Sequence, residues 1–350
     1  FEIIVVERND LSSDYFPRGR VHVLNPDGTY VPGWPFMLEG SHNWINCVSI
    51  GDINNDSSLD ILTATGSSYT PAYSDTIIWY NKIYALNSDG TLINGWPVNP
   101  DSSSGKYWRQ PRSPLVLVDL DNDGYLEIIS GYLDQKDPNG VQKNALYVLR
   151  HDGTVQPGIF PLRTSTWNYS LGAADMNGDG KYEIYTHGVR YKDSGYKDFT
   201  WKEQYSVVSH LGFADITGNG LPEYICGTAV LGHIKVVGNR GEQLPGWPQT
   251  TGREGGDIVD GNPVVGDIDG DGDVEILISS YLTNHVFAWH HDGTPVEGFP
   301  VTAAAQLSYL AISDLDGDSD IELIASCDDS LVYVWDIPSE GPCTNMEWPM

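Results

Sequence analysis

A nine-residue acidic loop recurs six times in this chain, and each copy runs straight into a β-prone segment. The clearest copy is Asp119-Leu120-Asp121-Asn122-Asp123-Gly124-Tyr125-Leu126-Glu127, followed by Ile128-Ile129. Oxygen-bearing side chains stand at loop positions 1, 3, 5 and 9. Like charges gathered this closely repel strongly unless something holds them, so the spacing constrains backbone and chemistry together. The copies follow one another at intervals of 40 to 67 residues, which predicts a series of similar units rather than one irregular core.

The candidate ligands are Asp52, Asn54, Asp56 and Asp60 in the first loop, and Asp119, Asp121, Asp123 and Glu127 in the second. The third offers Asp175, Asn177, Asp179 and Glu183, and the fourth Asp215, Thr217, Asn219 and Glu223. The fifth offers Asp267, Asp269, Asp271 and Glu275, and the sixth Asp314, Asp316, Asp318 and Glu322. Position 7 is expected to add a backbone carbonyl, at Tyr125, Lys181, Asp273 and Asp320. Glycine at position 6 permits the bend. Oxygen-only ligands favour Ca²⁺ or Mg²⁺ over zinc or copper, and a flexible loop with a carbonyl favours Ca²⁺. About five to six Ca²⁺ sites are expected. The second, fifth and sixth loops, with four carboxylates each, should bind best. Ser57 and Ser319 replace the position-6 glycine in the first and sixth. The fourth loop keeps two carboxylates and is the one expected to stay empty. An EF-hand is excluded, because the closing acid stands at position 9 and strands follow.

A second motif accompanies the loops: a strand, an Asp-Gly turn, then a Gly-aromatic-Pro element. Val21 to Thr29 leads to Gly33-Trp34-Pro35, and Ile83 to Thr91 leads to Gly95-Trp96-Pro97. Later versions end at Phe160-Pro161, Trp247-Pro248, Phe299-Pro300 and Trp348-Pro349. Strand, acidic loop, strand, hairpin strand, turn and outer strand make one blade of four antiparallel strands. Glu2-Ile3-Ile4 aligns with Glu127-Ile128-Ile129, which adds a partial seventh unit. The expected fold is all-β: one seven-bladed β-propeller domain, with units at 1–44, 45–110, 111–167, 168–207, 208–256, 257–305 and 306–350. Its N-terminal blade lacks a first strand and a metal loop. That blade is expected to be completed from outside, by a flanking segment or by another copy of the chain. With Phe1 in first place, the chain reads as processed or partial.

The pattern Asp-x-Asp/Asn-x-Asp-Gly-x-x-Glu before an apolar strand resembles the FG-GAP and VCBS repeat family, which includes the head of integrin α subunits. The Gly-Trp-Pro elements look more like its prokaryotic secreted members. The resemblance covers essentially the whole chain. It implies a seven-bladed propeller with Ca²⁺ in loops on one face.

The formal net charge is −29, which argues against nucleic acid or an anionic membrane as partner. Twenty of the 48 acids stand at loop positions 1, 3, 5 and 9, so much of this charge belongs to the loops. No run is long and apolar enough to span a bilayer. Four cysteines do not make a disulfide scaffold. Cys327 and Cys343 flank the last strand region and either pair or remain free thiols. His-Glu-x-x-His and Gly-x-Ser-x-Gly are absent. Three insertions, 67–80, 102–112 and 190–205, gather aromatic and basic side chains. Among them Tyr107, Trp108, Arg109, Tyr191, Tyr196 and Trp201 are candidate ligand-binding residues. The expected role is an extracellular, non-enzymatic adhesion, recognition or surface-assembly module, with a protein or glycan at the cell surface as partner. A lectin-like propeller and a polysaccharide lyase or hydrolase are the alternatives.

Overall fold

The computed structural model describes residues 2–7, 19–39, 44–66, 68–69, 78–79, 82–100, 110–111, 113–136, 142–158, 160–164, 170–186, 189–192, 197–200, 207–228, 232–251, 262–280, 282–338 and 346–347. Among the described residues the protein is all-β, with no helix. The first sheet comprises β1 (Ile3–Glu7), β2 (Arg20–Leu24) and β3 (Phe36–Met37) in that order, with β1 at an edge. In the second, β4 (Trp44–Gly51) pairs with β5 (Asp60–Gly66). A ribbon of β6 (Ser68–Tyr69) and β7 (Ile78–Trp79) follows in sequence, and β8 (Lys82–Leu86) completes the sheet. The third contains β9 (Gln110–Pro111), β10 (Val116–Val118), β11 (Glu127–Lys136), β12 (Gln142–Leu149) and β13 (Leu162–Thr164). The fourth is β14 (Leu171–Ala174), β15 (Glu183–Thr186), β16 (Val189–Tyr191) and β17 (Lys197–Thr200). The fifth is β18 (Val207–Ala214), β19 (Glu223–Thr228), β20 (His233–Val237) and β21 (Gln249–Thr250). The sixth is β22 (Val264–Gly266), β23 (Glu275–Ser280), β24 (His285–His290) and β25 (Val301–Thr302). The seventh is β26 (Leu307–Ser313), β27 (Ile321–Cys327) and β28 (Val332–Ile337).

These seven antiparallel sheets follow the chain in order, each built on a meander of three or four strands, to which β9 adds beside β11 in the third. One pairing departs from the sequence reading, which gives the chain's last residues to the outer end of the seventh unit. β29 (Met346–Glu347) instead pairs with β22, placing Glu347 opposite Val265 and Met346 opposite Gly266. The free edge of β22 offers backbone donors and acceptors that need partners, and β29 supplies them. Cys226 and Cys327 are free thiols, and Cys343 lies outside the described residues.

The chain forms two compact units. The first holds residues 1–171 with 193–195, and the second holds residues 172–192 with 196–350. In the first unit, Val21, Val23 and Trp34 of the first sheet's repeat share a core with Ile61, Tyr84 and Leu86 of the second. The second sheet's other face packs Leu62, Ala64 and Ala85 against Leu117, Ile128 and Tyr132 of the third. In the second unit, Met176 and Tyr185 meet Phe213, Tyr224 and Cys226. Ile225 and Val236 meet Ile276, Ile278 and Trp289. Leu277 and Ala288 meet Ile312, Leu323 and Ala325. Central strands therefore lie between two cores, and every residue of β5 and β23 is buried. Such strands carry small or branched residues on both faces instead of alternating apolar with polar. Each fully buried Ile or Leu contributes about 1.5–3 kcal/mol through area removed from water.

The aromatic-Pro elements fasten one sheet to the next. Indole Nε1 of Trp34 donates to Ser88 O at 3.0 Å, that of Trp96 to His151 O at 3.1 Å, and that of Trp247 to His291 O at 3.2 Å. Each acceptor belongs to the Asp-Gly turn of the following repeat. The three indoles are buried, as inter-sheet packing requires. The preceding glycine lets the two backbones touch: a Cβ on Gly246 would stand 1.9 Å from Asp292 O, and one on Gly33 2.1 Å from Asp89 O. Peptide bonds 34–35, 96–97, 160–161, 247–248 and 299–300 are all cis. The turns repeat as closely. Thr29, Thr91, Thr154 and Thr294 each donate both N–H and Oγ1–H to the aspartate two residues earlier, at 2.9 and 2.6 Å. These bonds hold the carboxyls of Asp27, Asp89, Asp152 and Asp292 below the usual aspartate range.

Two alanine substitutions separate the fastening from ordinary turn strain. Gly28 has φ of 80° and nothing within 4 Å of a built Cβ, so Gly28→Ala should cost about 1 kcal/mol. Gly246→Ala adds a backbone collision and should cost more than about 2 kcal/mol in urea unfolding of the full chain.

Candidate metal centres

Each acidic loop links the first two strands of a sheet, and its ends are set by the ladder. The residue before position 1 pairs with position 9: Gly51 with Asp60, Val118 with Glu127, Ala214 with Glu223, Gly266 with Glu275, Ser313 with Glu322. Position 2 is apolar in all six copies, and Ile53, Leu120, Met176, Ile216, Ile268 and Leu315 are buried beneath their loops. Two backbone positions are left-handed. At position 6, Gly124, Gly180, Gly220 and Gly272 have φ of 89°, 81°, 85° and 95°. Ser57 and Ser319 adopt the same shape at 68° and 82°, so their departure from glycine costs strain without changing the bend. At position 4, Asn55 and Asn122 both have φ of 59°, and Gly178, Gly218, Gly270 and Gly317 have 71°, 66°, 78° and 85°. That position alternates only between the two residue types most tolerant of this region.

Backbone N–H groups then orient the acids. The position-7 N–H donates to the position-5 side chain in all six loops, at 2.8–3.0 Å; Tyr125, Lys181, Asp273 and Asp320 are four of these donors. The position-6 N–H donates to the position-1 carboxylate, at 3.0 Å from Gly124 to Asp119 and 2.7 Å from Gly180 to Asp175. The position-9 acids are at most 6% exposed. Five of them accept the N–H of position 2, at 3.0 Å for Asp60, 2.9 Å for Glu127 and Glu275, 2.8 Å for Glu223 and 2.5 Å for Glu322.

The second oxygen of each buried acid tests whether a cation fits. Asp60 Oδ1 is buried with no hydrogen-bond partner, although an oxygen in that state costs several kcal/mol uncompensated. Oxygens of Asp119, Asp121 and Glu127 lie within 4.8 Å of one another, as do those of Asp267, Asp269 and Asp271, and of Asp314, Asp316 and Glu322. These sets fit a hard divalent ion. The third loop is partly self-satisfied, with Asn177 Nδ2 donating to Glu183 Oε1 at 2.5 Å. In the fourth, Thr217 Oγ1 and Asn219 Nδ2 both donate to Glu223 Oε1, at 3.1 and 3.3 Å. Neutral donors there replace a cation, so this loop does not fit one as the others do.

The FG-GAP-like repeat model matches residues 119–186, 215–278 and 267–325, together just over half of the chain. The chain belongs to the FG-GAP-like repeat family. No curated protein matches it significantly. Among solved structures it resembles BBS1N from its complex with ARL6DN, at 12% identity and a TM-score of 0.58, covering 98% of this chain and 93% of that one. It also resembles a streptogramin B lyase, at 13% identity and a TM-score of 0.56, covering 95% and 98%. The Vibrio cholerae biofilm matrix protein Bap1 aligns at 15% identity with a TM-score of 0.48. That alignment covers 99% of this chain and 57% of Bap1, so the chain spans little more than half of that protein. At these identities the likeness is one of fold.

Burial dominates the electrostatics of the FG-GAP-like loops. It pushes Glu127 up to about 7 and Asp60 up to about 6, with the neighbouring loop aspartates adding to the rise and the position-2 N–H opposing it. Asp267, Glu223, Glu275 and Glu322 move upward for the same first cause. Residues outside the loops also reach them, and the sequence reading missed these. Gln156 Nε2 donates to Asp121 Oδ2 at 2.9 Å, and Tyr125 stacks on His151 with ring centroids 4.1 Å apart. His290 Nδ1 lies 3.1 Å from Glu275 Oε1. The available signal was topological: the Asp-Gly turn returns to the same end of the sheet as the acidic loop.

Of the candidate ligand-binding residues, Tyr107, Trp108, Arg109, Tyr196 and Trp201 lie outside the described residues. Tyr191 differs from its reading as an exposed aromatic. It pairs with Ile184 in the fourth sheet and is 5% exposed, so its ring faces the interior.

Two outcomes follow for these repeats. Ser319→Gly should raise stability by about 0.5–1 kcal/mol in urea unfolding, because it removes left-handed strain against a smaller loss of chain entropy. The raised acids set the pH response with cations removed by EDTA. Their folded state holds more protons than the unfolded chain between about pH 4 and 7, so the contribution of these acids to stability is fullest below about pH 4 and declines as pH rises to 7. Glu127 alone accounts for on the order of 3 kcal/mol of that decline. Unfolding at pH 5 and pH 7 in EDTA measures it, and a rise toward pH 7 would contradict it.

Proposed function

We propose that the chain is an extracellular, calcium-stabilised β-propeller of seven blades that serves as a non-enzymatic recognition or surface-assembly module. The convergence of carboxylates in the second, fifth and sixth loops, each closed by a buried acid, carries this reading. Membership of the FG-GAP-like family and the propeller-like neighbours support the fold. The ions are structural: each ties a surface loop to the central strand that begins at position 9. Such loops have moderate affinity, and extracellular calcium is in the range that fills them. The acids are committed to loops and the backbone between them is fixed, which favours a rigid scaffold over a reaction centre. Insertions on that scaffold take the partner, a protein or glycan of the cell surface. The edge of β1 takes a strand by β-addition, from a flanking segment or another copy.

Calcium at about 1 mM should raise the melting temperature, because it binds the native state, and EDTA should reverse the rise. Titration calorimetry should count about five sites. Glu127→Gln should remove one of them, and Asp215→Asn should remove none. A melting temperature indifferent to both Ca²⁺ and EDTA would end the calcium reading.

A further inference from the structure

The turns that lead into the fastening aromatics differ at one position. Trp96 N–H donates to Ile93 O at 3.1 Å and Gly95 has φ of 93°, the geometry of a type II turn with Asn94 as its second residue. The turns at Trp34, Trp247 and Phe299 close in the same way, at 3.2, 3.3 and 3.3 Å, and hold Pro32, Pro245 and Glu297 in that place. Asparagine before glycine carries a reaction that proline cannot. The backbone nitrogen of the glycine can close a five-membered imide on the asparagine side-chain carbon, and glycine has no side chain to hinder the approach.

Asparagine–glycine pairs stand at 94–95, 139–140, 177–178 and 219–220, and the second lies outside the described residues. In the last two the attacking nitrogen is occupied. Gly178 N–H donates to Asp175 Oδ1 at 2.8 Å, and Gly220 N–H to Asp215 Oδ2 at 2.7 Å. Their amides are tied as well, Asn177 to Glu183 and Asn219 to Thr217. Asn94 and Gly95 are both exposed, and among the described residues no hydrogen bond engages the amide of the first or the N–H of the second.

We propose that Asn94 is a self-modification site, which deamidates with water as co-reactant and thereby loosens the junction between the second and third sheets. A base from solvent takes the Gly95 N–H proton, the nitrogen bonds to Asn94 Cγ, and the Cγ–Nδ2 bond breaks to release ammonia. Water then opens the imide at either carbonyl. The product is aspartate, or isoaspartate in which the main chain runs through the former side-chain carbon. Isoaspartate adds a methylene to the main chain directly before Gly95, where a built Cβ would lie 3.0 Å from Asp152 O. The next residue, Trp96, donates its indole N–H to His151 O at 3.1 Å and packs in the core that the two sheets share. A lengthened backbone at that point draws the indole away from its acceptor.

The test ages the full chain at mildly alkaline pH in water labelled with heavy oxygen and maps the label by mass spectrometry. In the folded chain Asn94 should take up label and yield both products. Asn177 and Asn219 should convert about tenfold more slowly or less, because each glycine N–H must first leave a charged acceptor. In urea the three should convert at similar rates. Folded Asn94 converting no faster than Asn177 and Asn219 would overturn the site, and a difference that persists in urea would overturn its structural cause. Asn94→Pro, which installs the residue of two sister turns, should keep its melting temperature on ageing, whereas the aged native chain should gain a second, lower transition. An aged native chain rich in isoaspartate with an unaltered melting curve would overturn the loosening.

Discussion

A carboxylate denied access to water governs this structure. The acid closing each loop is also the first or second residue of a central strand, so it cannot leave the interior without unpairing the ladder. One of its oxygens is fixed by a backbone N–H in five loops. The other faces a cluster of further acids held in place by their own backbone donors. Bringing such charges together is unfavourable without a positive centre or internal donors. The fourth loop shows the second solution, with a hydroxyl and an amide supplying the missing protons. The third loop uses the same device in part, through the Asn177 amide, while keeping the backbone shape of the rest.

The antiparallel order sets what stands at each end of a sheet. The acidic loop and the Asp-Gly turn share one end, which is why Gln156 and His290 reach the acids. The ribbon β6–β7 leaves from the opposite end, between the second and third strands of its sheet. The acidic loop and this ribbon thus stand at opposite ends of one sheet.

The loops and strands were legible because they rest on local rules. Alternating oxygens, a bend residue at position 6 and apolar pairs after position 9 need no tertiary knowledge. Position 4 was equally readable, being Asn or Gly in every copy, yet its left-handed backbone was overlooked because a glycine beside it already explained a bend. Serine at positions 57 and 319 signalled a weakened loop, whereas surrounding bonds hold both residues in the glycine shape. Contacts across the chain were not legible. The pairing of β29 with β22, the indole bonds to the next turn and the imidazole over the fifth loop depend on neighbours 15 to 82 residues away. The inward ring of Tyr191 was lost for a related reason: an insertion rich in aromatics resembles an exposed surface when its strand partner is unknown.

The indole fastening also bears on how such a chain could arise. Three repeats carry a Gly-Trp element that grips the turn ahead, and the gripped turns lie in the repeats that follow. A duplicated repeat therefore arrives already matched to both of its new neighbours, with plug and socket copied in one event. Deleting two or three residues from one of these turns would leave the preceding tryptophan without its acceptor.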